Sequence, residues 1–410
     1  MPHVPIRVAD PDEVVREAIP GDLAIFYSEH FERFRTAIRS LQRRNVATLY
    51  AIDGILEWRN AWENREDEPA CPWTMRPILS HKVACIGNSQ ARTLSQWGNG
   101  DKVEIVGIPR FDHFERQEHS RLGSGKSFRL LVMTAKWPGF TQQQTQQITR
   151  SLIDLKNWAA KAKTIGDRPI ELVWRLTGGL DEMVGIQNEL RDTTGEDLAT
   201  ALRRIDATIT TPSTTQLELM LFGKPTAILD YTNSPLYVGA VWRVTAKCQF
   251  TDAIRQLCEP TPEQMHFQSS VLTDALHCQV DATDRMLQLI DSMRGMSAVC
   301  RSRGEPLSFT LPLLPALSDA WPELCTETIF QERYVTKLDD RSLLQVELAD
   351  AQREIQLLRA NIEQLSNELG QAHAIFDTIR QHPMAGPVLR ARERILGWLG
   401  KANVTKSGSN

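Results

Sequence analysis

A chain of 410 residues is longer than one ordinary hydrophobic core serves, so two or three domains are expected. Hydrophobic residues make up 41% and charged residues 24%, and the formal net charge of -4 speaks against nucleic acid as a partner. The seven cysteines are odd in number, widely spaced and without a C-x-x-C pair; this argues against a disulfide framework or zinc site and for a reducing cytoplasm. No basic start followed by an apolar run marks a signal peptide, and no stretch reaches the ~18 apolar residues of a membrane span. Membrane contact is therefore expected to be peripheral at most.

The first 116 residues alternate strand and helix patterns. Apolar runs predict strands over Asp22–Ser28, Ala47–Ile52, Lys82–Ile86 and Lys102–Val106. Helical spacing is found over His30–Asn45 and Gln90–Trp97, and a polar region rich in Trp and Pro fills Glu57–Pro77. Residues 117–127, with the run Gly123-Ser124-Gly125, read as an interdomain linker. A second alternation spans 126–305. Its strands are Phe128–Met133, Pro169–Leu176, Ala207–Thr211 and Pro225–Asp230; its helices include Thr141–Lys163, Asp197–Arg204, Thr214–Phe222 and Asp281–Met293. Strands alternating with helices imply a parallel sheet with helical crossovers, so the fold class is α/β with two such domains.

Prolines 306, 312, 315 and 322 mark residues 306–336 as an irregular connector. From Leu344 to Ile379 apolar residues recur at alternating spacings of four and three, about five heptads, which predicts a coiled coil over 337–381 and a homo-oligomer through 344–379. The tail, 383–410, sets Val388, Leu389, Ile395, Leu396 and Trp398 among Arg390, Arg392 and Arg394, a composition suited to an anionic membrane surface or to a simple terminal helix.

The segment Ala201–Tyr231 concentrates the chemistry. Pro212 stops a strand, and Ser213, Thr214 and Thr215 stand where a helix begins, each able to act as its N-cap. Thr215 with Glu218 also has the spacing of a capping box. A helix start after a strand's carboxyl end offers unpaired N–H groups to a phosphate. The same pattern also serves an ordinary crossover helix. The run Asp206-Ala207-Thr208-Ile209-Thr210, Pro212-Ser213-Thr214-Thr215, Leu217-Glu218, Gly223-Lys224-Pro225 and Thr226–Tyr231 resembles the donor-nucleotide motif of the glycosyltransferase-B superfamily. That group takes in related nucleotide-sugar epimerases and CDP-glycerol glycerophosphotransferases. The resemblance covers roughly 125–240 and, more loosely, 20–115.

The resemblance implies two Rossmann-like domains and a nucleotide-diphosphate sugar as donor substrate, with no tightly bound cofactor. It implies that Ser213, Thr214 and Thr215 meet the diphosphate and Glu218 the ribose. Gly107-Ile108-Pro109-Arg110-Phe111-Asp112 is similar to the interdomain G-x-P-R-x-D of the same superfamily, which would turn Arg110 to the cleft. Lys136 and Trp137 follow a strand and offer a cation and a stacking face, and Arg175 precedes Thr177-Gly178-Gly179 at the end of the next. On the acceptor side Asp53, at the end of the second strand, is the first candidate base and His30 the second; Asp53-Gly54 is equally an ordinary turn pair. Trp58, Trp62 and Trp73 could stack on sugars or pack on the sheet. A D-x-D doublet, a Walker loop and a dinucleotide fingerprint are lacking, so no metal ligands are assigned. The implied activity is glycosyl transfer to a polysaccharide or glycoconjugate acceptor. The alternatives are a CDP-activated glycerophosphate-type transferase, an epimerase, or a non-catalytic scaffold oligomerised by its coil.

Overall fold

The computed structural model describes residues 6–62, 74–114, 126–136, 139, 141–186, 197–278, 281–309, 312–315, 340–381 and 387. Residues 117–125 of the linker, Trp137, Trp73 and nearly all of the 383–410 tail lie outside these, as do 310, 311 and 316–336 of the connector. The chain divides into two compact units, one reaching Leu343 and one beginning at Leu344.

In the first unit, helix α1 (Pro11–Glu17) precedes four parallel strands: β1 (Leu23–Phe26), β2 (Ala47–Ala51), β3 (Lys82–Cys85) and β4 (Val103–Ile105). They lie in the order β1-β2-β3-β4 and are joined through α2 (Glu32–Arg43), α3 (Trp58–Trp62) and α4 (Asn88–Leu94). Successive residues of a strand face opposite sides. Tyr50 therefore packs with Leu94 and Trp97 on one side, while Ala47 and Leu49 pack with Leu289 and Met293 on the other.

The second sheet is β10-β9-β8-β5-β7-β6, formed from β5 (Phe128–Met133), β6 (Thr164–Ile165), β7 (Arg168–Arg175), β8 (Ala207–Thr210), β9 (Thr226–Leu229) and β10 (Trp242–Val244). All pairings are parallel except β6 with β7. Leu130 and Val132 face α5 (Gln142–Ala162) and α9 (Phe250–Cys258). Leu131 and Met133 face α7 (Leu198–Leu202) and α8 (Thr215–Leu221). A short helix, α6 (Leu180–Val184), follows β7. The chain runs from β5 to β7 on one side and comes back to β8 on the other, so the strand order reverses between β5 and β8. In open α/β sheets the crevice at such a reversal receives ligands.

After α10 (Pro262–Ala275) the chain returns to the first sheet. Helix α11 (Ala282–Arg303), longer than the expected Asp281–Met293, and Leu307, Phe309, Leu313 and Leu314 cover the face formed by β2, β3 and Val106 after β4. Sequence order alone groups 281–305 with the second sheet and makes 306–336 a connector. Three polar clamps hold them to the first sheet. Asp112 accepts the N–H groups of Ala282 and Thr283, both at 2.9 Å, together with the Thr283 hydroxyl at 2.6 Å. Burial opposes the Asp112 charge, but the Thr283 hydroxyl and these N–H groups outweigh it and hold the carboxyl below its ordinary range. Arg285 donates to the Ile105 carbonyl at 2.9 Å. Glu104, buried against Lys82 at 2.9 Å, accepts Leu313 N–H at 2.8 Å and Leu314 N–H at 3.2 Å. Gly107 (φ +99°) and Gly87 let the return pass closely: a Cβ would lie 2.8 Å from the His277 carbonyl at Gly107 and 2.4 Å from the Ala275 carbonyl at Gly87.

The second unit holds all but the first four residues of α12 (Asp340–Gln381), a single helix of 42 residues. Leu348, Ile355, Leu358, Ile362, Leu365 and Leu369 are between 49% and 66% exposed on it. No helix among the described residues is long and apolar enough to cross a membrane.

Candidate functional site

The carboxyl ends of β5, β7 and β8 are tied together by threonines. Ala135 N–H donates to Thr211 Oγ1 at 2.9 Å, and the Thr177 hydroxyl donates to the Ala135 carbonyl at 2.6 Å. Thr134 and Thr177 hydroxyls meet at 3.1 Å. These bonds fix the three loops around the β5/β8 reversal as one rim. Lys136 is exposed on this rim. Gly178 (φ +66°) and Gly179 (φ +73°) supply two successive left-handed residues beyond Arg175, a path that side chains resist.

The Ser213–Thr215 turn completes the rim, though not with the expected caps. Helix α8 runs Thr215–Leu221; Thr214 has helical angles (φ -58°, ψ -24°) and no side chain caps the helix. Thr214 Oγ1 instead accepts Ile55 N–H from the first sheet's side at 3.1 Å. Gly54 makes room for it, since a Cβ there would stand 2.2 Å from that oxygen. Gln90 braces the same loop by donating to the Gly54 carbonyl at 3.0 Å while accepting Ile86 N–H at 2.9 Å. Ser213 is 6% exposed and its hydroxyl has no partner among the described residues. A buried hydroxyl left so is costly unless something arrives to bond it.

Glu218 does not close the Thr215 capping box. It turns to arginines from both sides of the cleft. Arg110 Nε lies 3.8 Å from Glu218 Oε1, and Arg175 adds its charge. Burial pushes the Glu218 carboxyl up, and Arg110 and then Arg175 pull it back without cancelling the rise. Arg110 Nη1 also donates to the Asp53 carbonyl at 2.8 Å and stands 3.8 Å from its carboxylate. Asp53 itself is 82% exposed. The structure thus brings Asp53, Arg110, Arg175, Ser213, Thr214 and Glu218 together where the two sheets' loops meet. His30 lies four residues beyond β1 beside Phe31, its backbone N–H donating to the Ser28 hydroxyl at 3.2 Å. The acidic residue next to it is structural: Glu29 is fully buried and accepts Leu79 N–H at 2.8 Å and Ser80 N–H at 2.9 Å.

Adjoining the Ser213 turn is a cleft lined from one side by residues 55–59 and from the other by Thr211, Pro212, Gln216, Asp230, Thr232 and residues 234–238. Glu57 forms an antiparallel bridge with Leu236 across it. Inside, Glu57 pairs with Arg59 at 2.6 Å, and burial pushes the Glu57 carboxyl up against the pull of Arg59. Asp230 receives Arg243 at 2.7 Å. Trp58 lines this cleft, whereas the Trp62 side chain falls outside the described residues. The Glu57–Arg59 and Asp230–Arg243 pairs were not singled out from sequence, because neither lies in a motif and their importance rests on which loops face each other. Among the described residues no cluster of His, Cys, Asp and Glu could hold a metal ion.

No protein-family model matches the chain, and no curated protein matches it. Among solved structures the chain is similar to the pneumococcal O-GlcNAc transferase GtfA in complex with UDP and GlcNAc (10% identity, TM-score 0.40), covering 67% of this chain and 57% of that one. It is similar to the wall teichoic acid polymerase TagF (13% identity, TM-score 0.43), over 68% and 73% of the two chains. It is similar also to the lipopolysaccharide outer core galactosyltransferase WaaB in its apo form (12% identity, TM-score 0.39), over 69% and 78%. The chain thus spans less than two thirds of the length of GtfA.

Proposed function

We propose that the chain is a glycosyltransferase of the B type, transferring a sugar from a nucleotide-diphosphate donor to a glycan or glycoconjugate acceptor between its two sheets. One observation carries the reading: Arg110 and Arg175 converge with the Ser213–Thr214 turn and Glu218 at the strand-order reversal of the second sheet. Two guanidinium groups and an unpartnered hydroxyl are suited to the diphosphate. Glu218, pressed toward its neutral form, is suited to a ribose hydroxyl. In the transfer, the acceptor oxygen bonds to the anomeric carbon as the bond from that carbon to the diphosphate oxygen breaks. The acceptor proton passes to Asp53, exposed across the cleft, and the arginines stabilise the leaving diphosphate. In this reading Lys136 faces the phosphates, and the cleft at Glu57 and Trp58 receives the sugar side. The protein works in the cytoplasm as a homo-oligomer joined through 344–379, with the basic tail reaching anionic membrane.

The test is calorimetric titration with UDP, CDP, GDP and ADP. At least one should bind, and Arg110→Ala should weaken it about tenfold, the loss of one charge-assisted bond. Absence of binding by all four to folded protein overturns the reading. Selective binding of CDP compounds, with turnover of CDP-glycerol, would replace it by glycerophosphate transfer.

A further inference from the structure

Helix α12 carries an apolar stripe that the chain itself leaves in solvent. In the heptad frame set by its spacing, Leu348, Ile355, Ile362 and Leu369 occupy a positions, and Leu358, Leu365 and Ile379 occupy d positions. Each of these seven is between 43% and 66% exposed. An unpaired stripe over a helix of 42 residues is unstable in water, and an a/d repeat of this length fits another helix of the same repeat.

The flanks identify the occupant. Positions g hold Glu347, Glu354, Asn361, Glu368 and Ile375, and positions e hold Gln352, Arg359, Ser366, His373 and Arg380. The titratable residues of one flank are all acidic and those of the other all basic, so this helix is complementary to a second copy of itself. Direction follows from the same charges. In a parallel pair, each g residue faces the e residue five positions on in the partner, which sets Glu354 against Arg359 and Glu368 against His373. In an antiparallel pair g faces g and e faces e, which sets glutamates together and arginines together. The central layers add to this: Ile355 and Ile362 at a with Leu358 and Leu365 at d form the arrangement that favours two parallel strands.

We infer that α12 joins two copies of this chain as a parallel, in-register, two-stranded coil. This goes beyond the oligomer named above by fixing strand number, direction and register. It rests on the helix alone, so it stands or falls separately from the nucleotide reading. Both copies of the first unit are then tethered at the same end of the coil.

Light scattering on the full chain should give twice the chain mass; a single-chain mass, or three chains or more, overturns the inference. Direction is read from the full-length double variant Leu348→Cys with Ile379→Cys, oxidised mildly, digested and analysed by mass spectrometry. Links from 348 to 348 and from 379 to 379 are expected. A link from 348 to 379 between chains would mean antiparallel pairing and overturns it. A second measurement does not use cysteine. Glu354→Lys and Arg359→Glu should each weaken dimerisation about fivefold, and the two together should restore it. Failure of the double variant to recover overturns the proposed register.

Discussion

By its residue types Glu218 is a ribose ligand or a capping-box partner, and Ser213 a diphosphate ligand or an N-cap. The structure releases both from capping: the Ser213 hydroxyl has no partner among the described residues and Glu218 turns to Arg110, while Thr214 Oγ1 beside them is taken by Ile55 N–H. The residue types were legible; their partners were not, because Ile55 and Arg110 come from the other sheet. Ser213 yields a prediction with opposite signs for stability and binding. Ser213→Ala removes a buried unpartnered hydroxyl, so thermal stability should hold or rise by up to about 1 kcal/mol. Nucleotide affinity should fall about fivefold, roughly 1 kcal/mol. Destabilisation with unchanged affinity would show that the hydroxyl serves the fold.

His81 gives a pH dependence. Burial first, and the Lys102 charge second, push its imidazole down to about 4 from 6.5. The neutral ring also has a structural task, since Nδ1 accepts Thr48 N–H at 3.1 Å. The unfolded chain takes up a proton below about pH 6.5 that the folded chain refuses until about pH 4. Stability is therefore complete above pH 6.5 and falls as pH drops toward 4, by about 3 kcal/mol in all. Urea unfolding at pH 7 and at pH 4.5 measures it, and His81→Leu should show a shallower fall between the two. Equal slopes in the two proteins would assign the acid sensitivity elsewhere.

At the scale of elements, the strands were the legible part. Phe128–Met133 and Ala47–Ala51 match their apolar runs because both faces of each parallel sheet are covered. The two-residue strand Thr164–Ile165 was not foreseen; it exists only through its antiparallel pairing with Arg168 and Pro169. The turn where Gln90–Trp97 was read as one helix is instead α4 ending at Leu94, followed by a wider turn over Ser95–Asn99 with Gly98 at φ +90°. Close approach of elements sets a second kind of limit. Gly87 has an extended backbone (φ -174°) that any residue can adopt, so its cost on substitution is steric alone. Its Cβ would meet the Ala275 carbonyl carbon at 2.5 Å as well as the oxygen, and backbone cannot swing away. Gly87→Ala should cost about 1–3 kcal/mol in chemical denaturation. A wild-type midpoint would mean that the return past Ala275 is slack.

At the scale of the molecule, sequence order misled where chain connectivity and packing part company. Helix α11 follows the second sheet in the chain, yet it buries Leu289 and Met293 against Ala47, Leu49, Ala84 and Val106. Nothing local in its amphipathic pattern says which sheet it covers. The Lys82–Glu104 pair is central to this docking, with side chains 1% and 3% exposed. Lys82→Met would leave Glu104 buried without its cation, at about 3–5 kcal/mol. Glu104→Gln with Lys82→Met together should recover part of that loss, since neither member of the pair then carries a charge. If the double variant is no more stable than Lys82→Met alone, the loss comes from packing and the ion pair is not its source.

The return of α11 also means that the first half is not one continuous stretch of polypeptide. A gene divided between residues 114 and 126 would yield two fragments that each lack part of a core the other supplies: the first would carry Ala47, Leu49 and Val106, and the second Leu289, Met293, Phe309 and Leu314. Such fragments have a reason to find each other, and a chain nicked in that interval has a reason to stay whole.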